Sequence, residues 1–329
     1  MKKLRVAVIG AGFWGRNQAR VLSQLNQTEL VCVCDTDETR ARSVGAEFHV
    51  PYFTDKASVF ARSDLDAVTI CTPTTTHKDV ATEALRAGKH TLVEKPMTNT
   101  VAEARELVAL AKERGLRLMP GHIERFNPAV DYLKSLLDAE RLGAVTLFHA
   151  RRVGRWPERI GDVGVVRDTA IHDIDLARYI FRDEAKSVHA KIGNIRHTKE
   201  DYAEIMLEFS RGGTAFIDAN WLTPRKTRSL IVTGSEATVQ IDYISQEIAI
   251  EDSEQSTKPN LEKQEPLRLE LAHFADSTLN GKPFRANGED GLRAVEICEV
   301  VLQAGKSGQT IPLTVSSLQQ PPSNLRNHE

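Results

Sequence analysis

The sequence lacks an apolar run long enough to cross a membrane, although 41% of its 329 residues are hydrophobic. Its formal net charge is only −2, which argues against a nucleic-acid-binding surface. The N-terminus, Met1-Lys2-Lys3, leads directly into an apolar strand and has neither the apolar segment nor the cleavage site of a signal peptide. We therefore expect a cytoplasmic protein that binds neither nucleic acid nor membranes.

Cysteine is also scarce, with four residues in the chain. Cys32, Cys34 and Cys71 lie in or beside predicted buried strands, and Cys298 stands alone near the C-terminus. The side chains of Cys32 and Cys34 face the same side of a strand, but no further ligands follow at a recognisable metal-binding spacing. We expect buried reduced thiols and no metal site.

A glycine motif follows the first predicted strand. Gly10, Gly12 and Gly15 fill the spacing G-x-G-x-x-G, and a helical pattern continues to residue 25. A second apolar run ends at Asp35, where the ribose-binding acid of a dinucleotide site stands. An ordinary strand-to-helix turn is the alternative, and the combined pattern favours dinucleotide binding. The Asp35 carboxylate would repel a 2′-phosphate, so the predicted cofactor is NAD, although Arg40 lies close enough to temper that preference.

Strand and helix patterns alternate through the first part of the chain. The predicted strands are 4–9, 30–34, 67–71, 90–93 and 116–119, and the predicted helices are 16–25, 36–44, 77–87 and 101–114. This alternation predicts an α/β protein with an N-terminal Rossmann domain, a doubly wound parallel sheet, at residues 1–122. Its ligand should lie outside the carboxyl ends of the strands.

Longer alternating stretches follow Pro128. The predicted strands are 145–153, 187–195, 202–209, 214–221, 229–232, 238–242 and 247–250, with helices at 129–142, 168–180, 270–280 and 288–304. The pattern predicts a C-terminal α+β domain with a mostly antiparallel open sheet at 123–313, which binds substrate and carries catalytic residues. Residues 253–265 are predicted to form a polar loop, and residues 314–329 a mobile tail.

Three loops should meet at the carboxyl edge of the parallel sheet, namely residues 72–77, 94–96 and 121–128. A lysine at such an edge, Lys95, could accept or relay a proton, although a surface charge is the common alternative. Asp168, His172 and Asp175 share a helix face by spacing. An imidazole beside a carboxylate suits a general base, whereas a capping Asp before a solvated face is the plain alternative.

These motifs together resemble the Gfo/Idh/MocA oxidoreductase family. The matching pieces are the glycine motif, the loop from Cys71 to His77, Glu94-Lys95-Pro96 and the Asp168–His172 pair, in the family's order. The resemblance implies NAD(P)-dependent oxidation of a sugar or cyclitol hydroxyl, with Lys95, Asp168 and His172 as catalytic residues. The predicted cofactor-binding residues are Gly10, Gly12, Phe13, Trp14, Gly15, Asp35, Thr72, Pro73, Thr75, His77, Glu94 and Lys95.

Residues 121–128 and 167–175 resemble, within that family, the branch that oxidises the 3-hydroxyl of UDP-N-acetylglucosamine to a ketone. The resemblance implies an aminotransferase as a partner that acts on the product. A cluster of arginines at residues 151, 152, 155 and 159 could bind a substrate diphosphate, or could be a solvated loop. The predicted substrate-binding residues are Lys95, Glu124, Arg125, Asn127, Arg155, Arg159, Asp168 and His172.

Two other functions are also compatible with the sequence. One is an NAD-dependent dehydrogenase of a free sugar or myo-inositol, which would use the same catalytic residues. The other is a non-catalytic dinucleotide-binding regulator, which would have no need of Lys95, Asp168 and His172 together. The choice between Lys95 and His172 as the base also stays open. An exposed face of the antiparallel sheet could pair subunits, so we expect a homo-oligomer, a dimer or tetramer.

Overall fold

A computed structural model describes residues 2–157 and 161–313 of the chain. The predicted tail at 314–329 and the predicted substrate residue Arg159 lie outside the described residues. The described strands form a six-stranded and a nine-stranded sheet. The α/β class and both sheet types predicted from sequence are confirmed. The domain boundary after residue 122 stays a prediction.

The six-stranded sheet is parallel throughout and has the order β3-β2-β1-β4-β5-β6. Its strands are β1 (Leu4–Ile9), β2 (Thr28–Cys34), β3 (Tyr52–Phe53), β4 (Ala67–Ile70), β5 (His90–Glu94) and β6 (Leu118–Gly121). The helices that connect them are α1 (Phe13–Gln24), α2 (Glu38–Phe48), α3 (Lys56–Phe60), α4 (Thr74–Arg86) and α5 (Val101–Glu113). The chain reverses its direction of winding between β3 and β4, which places a ligand crevice beside the ends of β1 and β4.

The nine-stranded sheet is antiparallel except where β10 pairs with β7. Its strands are β7 (Val145–Arg155), β8 (Ala185–Gly193), β9 (Tyr202–Phe209), β10 (Thr214–Asn220), β11 (Leu222–Gly234), β12 (Ala237–Asp242), β13 (Glu247–Asp252), β14 (Ser256–Thr257) and β15 (Ile311–Pro312). The helices of this half are α6 (Pro128–Asp138), α7 (Ile171–Phe181), α8 (Pro266–Asn280) and α9 (Gly288–Ser307). A 3₁₀ turn at Ile123–Phe126 precedes α6, and a π-helical turn at Val166–Ala170 leads into α7.

Several short or polar elements differ from the sequence prediction. The strand β3 and the helix α3 were not predicted, because neither is long enough to show a periodic apolar pattern. The predicted loop 253–265 contains the two-residue strand β14. Strand β11 begins at Leu222 and not at residue 229, because its first half is polar and basic and lacks apolar alternation.

The apolar core lies on both faces of the six-stranded sheet and on one side of the nine-stranded sheet. Ala7 and Ile9 of β1 pack in one cluster, and Val6 and Val8 pack in another, because successive side chains of a strand point to opposite faces. Helix α8 joins the cluster of Val6 and Val8, so a late element of the chain packs on the first sheet. Among the described residues, no helix is both long and apolar enough to span a membrane.

Candidate active site

The glycine turn between β1 and α1 admits no larger side chain at two of its positions. Gly10 has a φ of 94°, and a Cβ there would lie 2.7 Å from the carbonyl carbon of Cys71. A Cβ on Gly15 would lie 1.7 Å from the Gly10 oxygen, so helix and strand can approach only because this residue is glycine. No atom lies within 4 Å of the corresponding position on Gly12, which faces open space.

The turn opens into a cavity of about 470 Å³. The first turn of α1 has no side-chain cap, so its backbone N–H groups are available to an anion. Glycine at the close approach and an uncapped helix start fit the pyrophosphate of a dinucleotide. The predicted residue Phe13 is 65% exposed beside this cavity and packs edge-on against Trp14. The lining residues are Ala11, Gly12, Phe13, Arg16, Asn17, Arg20, Arg40 and Glu47.

Asp35 stands at the end of β2, where the ribose of a dinucleotide would lie. Its carboxylate accepts hydrogen bonds from the backbone N–H of Ala11 at 2.8 Å and of Asp37 at 2.9 Å. Arg40 donates to the same carboxylate at 3.0 Å. The Asp35 side chain is only 9% exposed, and these three donors hold its carboxylate in place at this edge of the sheet.

The loop after β4 is tied to the loop after β5 by His77. The ring nitrogens Nδ1 and Nε2 each lie 2.8 Å from a carbonyl oxygen, of Pro96 and of Thr72 respectively. Burial lowers the pKa of His77, whereas the two carbonyl oxygens act to raise it. His77 therefore fixes the position of Pro96, the residue after Lys95.

Two other predicted residues of this loop have different surroundings. Pro73 is the N-cap residue of α4, and Thr75 in its first turn is exposed. The backbone N–H of Thr74 donates to the carboxylate of Asp162 at 2.9 Å. Asp162 comes from the other half of the chain and was not singled out in the sequence, because only the fold brings it to this helix start.

Lys95 and Asp168 form a buried ion pair between the two halves of the chain. The Nζ of Lys95 donates to the Asp168 carboxylate at 2.7 Å and to the Asp168 main-chain oxygen at 2.7 Å. The two side chains are 9% and 10% exposed. The neighbouring Glu94 accepts a hydrogen bond from Gln18 at 2.8 Å, and the Lys95–Pro96 peptide bond is cis. An ammonium group has three donors, so one remains that can be directed at a substrate.

His172 follows Asp168 on the same helical segment and is partly buried. Its Nδ1 atom is buried and has no hydrogen-bond partner among the described residues. Burial is the main cause that lowers the pKa of His172 well below its usual value, and the positive charges of Lys95 and Arg152 add to this effect. The imidazole is therefore neutral near pH 7 and can accept a hydrogen bond from a hydroxyl group.

Asp175 does not support His172 in the way that the helix spacing suggested. Its carboxylate accepts two hydrogen bonds from Arg125, both at 2.7 Å. Both residues lie in the regular helix α7, so their spacing is that of an α-helix, but the guanidinium of Arg125 takes the Asp175 carboxylate. The Nε2 of His122 lies 3.7 Å from the same Asp175 carboxylate.

The predicted substrate residues of the loop after β6 make internal contacts. Arg125 is 3% exposed and also donates to the carbonyl oxygen of Arg285 at 2.6 Å. Glu124 accepts a hydrogen bond from Arg152 at 2.7 Å, and Asn127 caps α6 and donates to the carbonyl oxygen of Tyr243. Their described contacts hold the loop against the second sheet, and contact with substrate stays a prediction for all three.

The arginine cluster predicted for a diphosphate is divided by the alternation of β7. Arg151 points to the outer face of the sheet and pairs with Asp218 at 2.9 Å. Arg152 is buried and pairs with Asp173 at 2.7 Å. Arg155 lies at the strand end, where its Nε donates to the carbonyl oxygen of Pro224. The alternation of β7 therefore separates these arginines, and contact with substrate stays a prediction for Arg155.

The cysteines and the acidic residues form no metal centre in the part of the chain that the structure describes. All four cysteines are free, and burial raises the pKa of the Cys32 thiol to about 11. A protonated thiol is a poor metal ligand.

The fold and the site define a class of protein. The parallel sheet has a glycine turn after β1 and carries Lys95 directly after β5, where it pairs with Asp168. With its family match, this fold is that of an NAD-dependent dehydrogenase acting on a CH–OH group. The family profile described as the oxidoreductase family with an NAD-binding Rossmann fold matches residues 4–122. The GFO/IDH/MocA C-terminal domain profile matches residues 130–240. The chain therefore belongs to the Gfo/Idh/MocA oxidoreductase family.

Individual relatives differ in their substrates. The chain is 31% identical to the UDP-N-acetylglucosamine 3-dehydrogenase of Acidithiobacillus ferrooxidans, over 90% of this chain and 95% of that one. A solved structure of that enzyme superposes with a TM-score of 0.87 at 30% identity, and covers 93% of this chain and 99% of that one. The chain is also 28% identical to the scyllo-inositol 2-dehydrogenase of Bacillus subtilis, over 95% and 97% of the two chains.

Proposed function

We propose that this protein oxidises the 3-hydroxyl of UDP-N-acetylglucosamine, or of a close UDP-sugar, to a ketone with NAD as the oxidant. The observation that carries the proposal is the similarity to the Acidithiobacillus enzyme, which extends over 95% of that enzyme's length. The alternative of a cyclitol dehydrogenase draws on the similarity to the scyllo-inositol enzyme, which is lower at 28% identity.

The residues at the crevice have separate tasks in this proposal. The glycine turn and Asp35 hold NAD, which supplies the hydride acceptor when it is bound. The remaining donor of Lys95 holds the substrate hydroxyl, and Asp168 fixes the position of that lysine. His172 takes the hydroxyl proton, because its lowered pKa keeps the imidazole neutral. This division of tasks favours His172 over Lys95 as the base.

The remaining sequence predictions belong to the same proposal. Arg155 lies at the end of β7 and is proposed to contact the diphosphate, while Arg159 is outside the described residues. An aminotransferase would use the ketone, since an amine can replace a carbonyl oxygen by transamination. Exposed Phe216 lies on the outer face of the nine-stranded sheet, which supports a homo-oligomer that pairs these faces. We place the protein in the cytoplasm.

A substrate panel tests the proposal. Purified protein is incubated with NAD and, in turn, UDP-N-acetylglucosamine, N-acetylglucosamine and myo-inositol, and NADH absorbance is recorded. The panel is repeated with an aminotransferase and an amino donor, which remove the ketone and draw the equilibrium forward. We expect the highest kcat/KM with the UDP-sugar. Faster oxidation of the free sugar or of myo-inositol would refute the substrate assignment, and no turnover with any of them would favour the regulator.

A further inference from the structure

Strand β11 carries the basic side chains of Lys226 and Arg228, which have not yet been given a role. In the register with β7, Arg228 stands opposite Arg152, so both side chains lie on the inner face of the sheet. Leu222 of β11 pairs with Arg155 of β7, and Thr227 pairs with Val153, so β11 has extra residues between these two pairs. These extra residues form a β-bulge. The bulge carries Lys226, whose backbone packs against Gly154 of β7.

The charges in this region are not balanced. Arg152 is neutralised by Asp173 at 2.7 Å and by Glu124 at 2.7 Å. The ion-pair partner of Arg228 is the same Glu124, at a longer distance of 3.7 Å. Lys226 makes no ion pair with any residue of the described ranges 2–157 and 161–313. Arg228 therefore depends on a carboxylate that Arg152 already binds, and Lys226 has no ion-pair partner among the described residues.

The pKa shifts of these groups reflect the same crowding. The charge of Arg228 is the main cause that lowers the pKa of Lys226. Burial, followed by the charge of Arg152, lowers the pKa of Arg228. A bound anion would relieve this repulsion, because each cation would gain an opposite charge.

The basic group lies within electrostatic reach of the catalytic residues. The charge of Arg228 is among the causes that lower the pKa of His172, and the Asp168 carboxylate acts on Arg228 in turn. The Arg228 side chain is 37% exposed, and Lys226 is exposed at the rim. An anion held here would lie beside the reacting sugar and remain open to solvent.

We propose that Lys226 and Arg228 form an anion subsite that binds the diphosphate of a nucleotide-sugar substrate. This inference rests on the proposed function, because a free sugar or cyclitol has no charge to place there. A diphosphate carries two acceptor groups, one for the planar guanidinium of Arg228 and one for the ammonium of Lys226. Arg155 donates to the carbonyl oxygen of Pro224 in the bulge, so it contacts the segment that carries Lys226.

UDP alone is the probe, because it contains the diphosphate and lacks the sugar that reacts. Its affinity for the enzyme–NADH complex is measured by calorimetry in the native protein and in Lys226→Met and Arg228→Gln. We expect each variant to bind UDP about tenfold or more weakly, which is the usual size of one lost charge-assisted contact. Arg228→Lys should recover part of the affinity, since it keeps the charge but not the planar fork. NADH affinity should stay unchanged in all variants.

Arg151→Gln is the matched control, because Arg151 lies on the neighbouring strand and pairs with Asp218 on the outer face. Native UDP affinity in this control, with the losses above, supports the subsite. Native affinity in both Lys226→Met and Arg228→Gln overturns it, as does an equal loss in the control. Turnover is a separate readout. If UDP binding follows the expectation but UDP-N-acetylglucosamine is not oxidised, the subsite stands and the proposed substrate is wrong.

Discussion

The ion pair between Lys95 and Asp168 offers the sharpest test of the active site. In Asp168→Asn the amide keeps the shape and can still accept a hydrogen bond, but the buried ammonium loses its counter-charge. The two contacts of Nζ, both at 2.7 Å, fix the lysine, and a shift of about 1 Å in a reacting group can cost roughly 100-fold in rate. We therefore expect kcat to fall by about 100-fold or more, with NAD affinity little changed.

A double-mutant cycle separates positioning from an independent role. Lys95→Met leaves the Asp168 carboxylate without its cation, and breaking a buried pair typically costs about 3–5 kcal/mol. The double variant Lys95→Met/Asp168→Asn removes both charges, so its stability loss should be smaller than the sum of the two single losses. Its rate should also be no lower than that of Lys95→Met alone, because residues that act as a unit are not additive.

The assays are single-turnover NADH formation and urea unfolding. Asp218→Asn provides the matched control, since Asp218 pairs with Arg151 on the exposed face, where an ion pair contributes about 0–1 kcal/mol. Near-native kcat in Asp168→Asn would refute the positioning role. Rate losses that multiply in the double variant would show that Lys95 and Asp168 act independently.

Three further predictions concern the glycine turn and the buried histidines. Gly15→Ala should unfold at a lower urea concentration than the native protein, because its Cβ would meet the Gly10 oxygen. Gly12→Ala should fold normally and lose NAD affinity in a titration, and equal unfolding midpoints for the two variants would contradict this reasoning. His172→Ala should lower kcat by about 10²–10⁴-fold with native NAD binding, and near-native kcat would exclude it as the base. Burial lowers the pKa of His122 and His172, so the unfolded chain binds more protons on acidification. Urea unfolding should then show stability falling as pH drops below about 6.5, and stability independent of pH there would contradict the assignment.

Local signals in the sequence were sufficient to predict the fold of the cofactor-binding half of the protein. The glycine turn, the helix after it and Asp35 lie within about one βαβ unit of chain, so their spacing already contains the geometry. The alternation of strands and helices likewise predicted the parallel sheet, because its strands are buried on both faces and read as apolar runs. The strand β3 was not predicted, because a strand of two residues is too short to show an alternating apolar pattern.

Only the tertiary structure decided which of the predicted site residues pair with each other. Lys95 and Asp168 are 73 residues apart in the chain, and Arg125 and Asp175 are 50 apart, so no spacing rule could pair them. The helix pattern predicted Asp175 as the partner of His172, but the guanidinium of Arg125, from a distant part of the chain, binds that carboxylate. Strand alternation predicts that Arg151 and Arg152 point to opposite faces, and only the packing of the sheet decides which face is buried. The bulge that presents Lys226 depends on the register between β7 and β11, which the sequence of either strand alone does not contain.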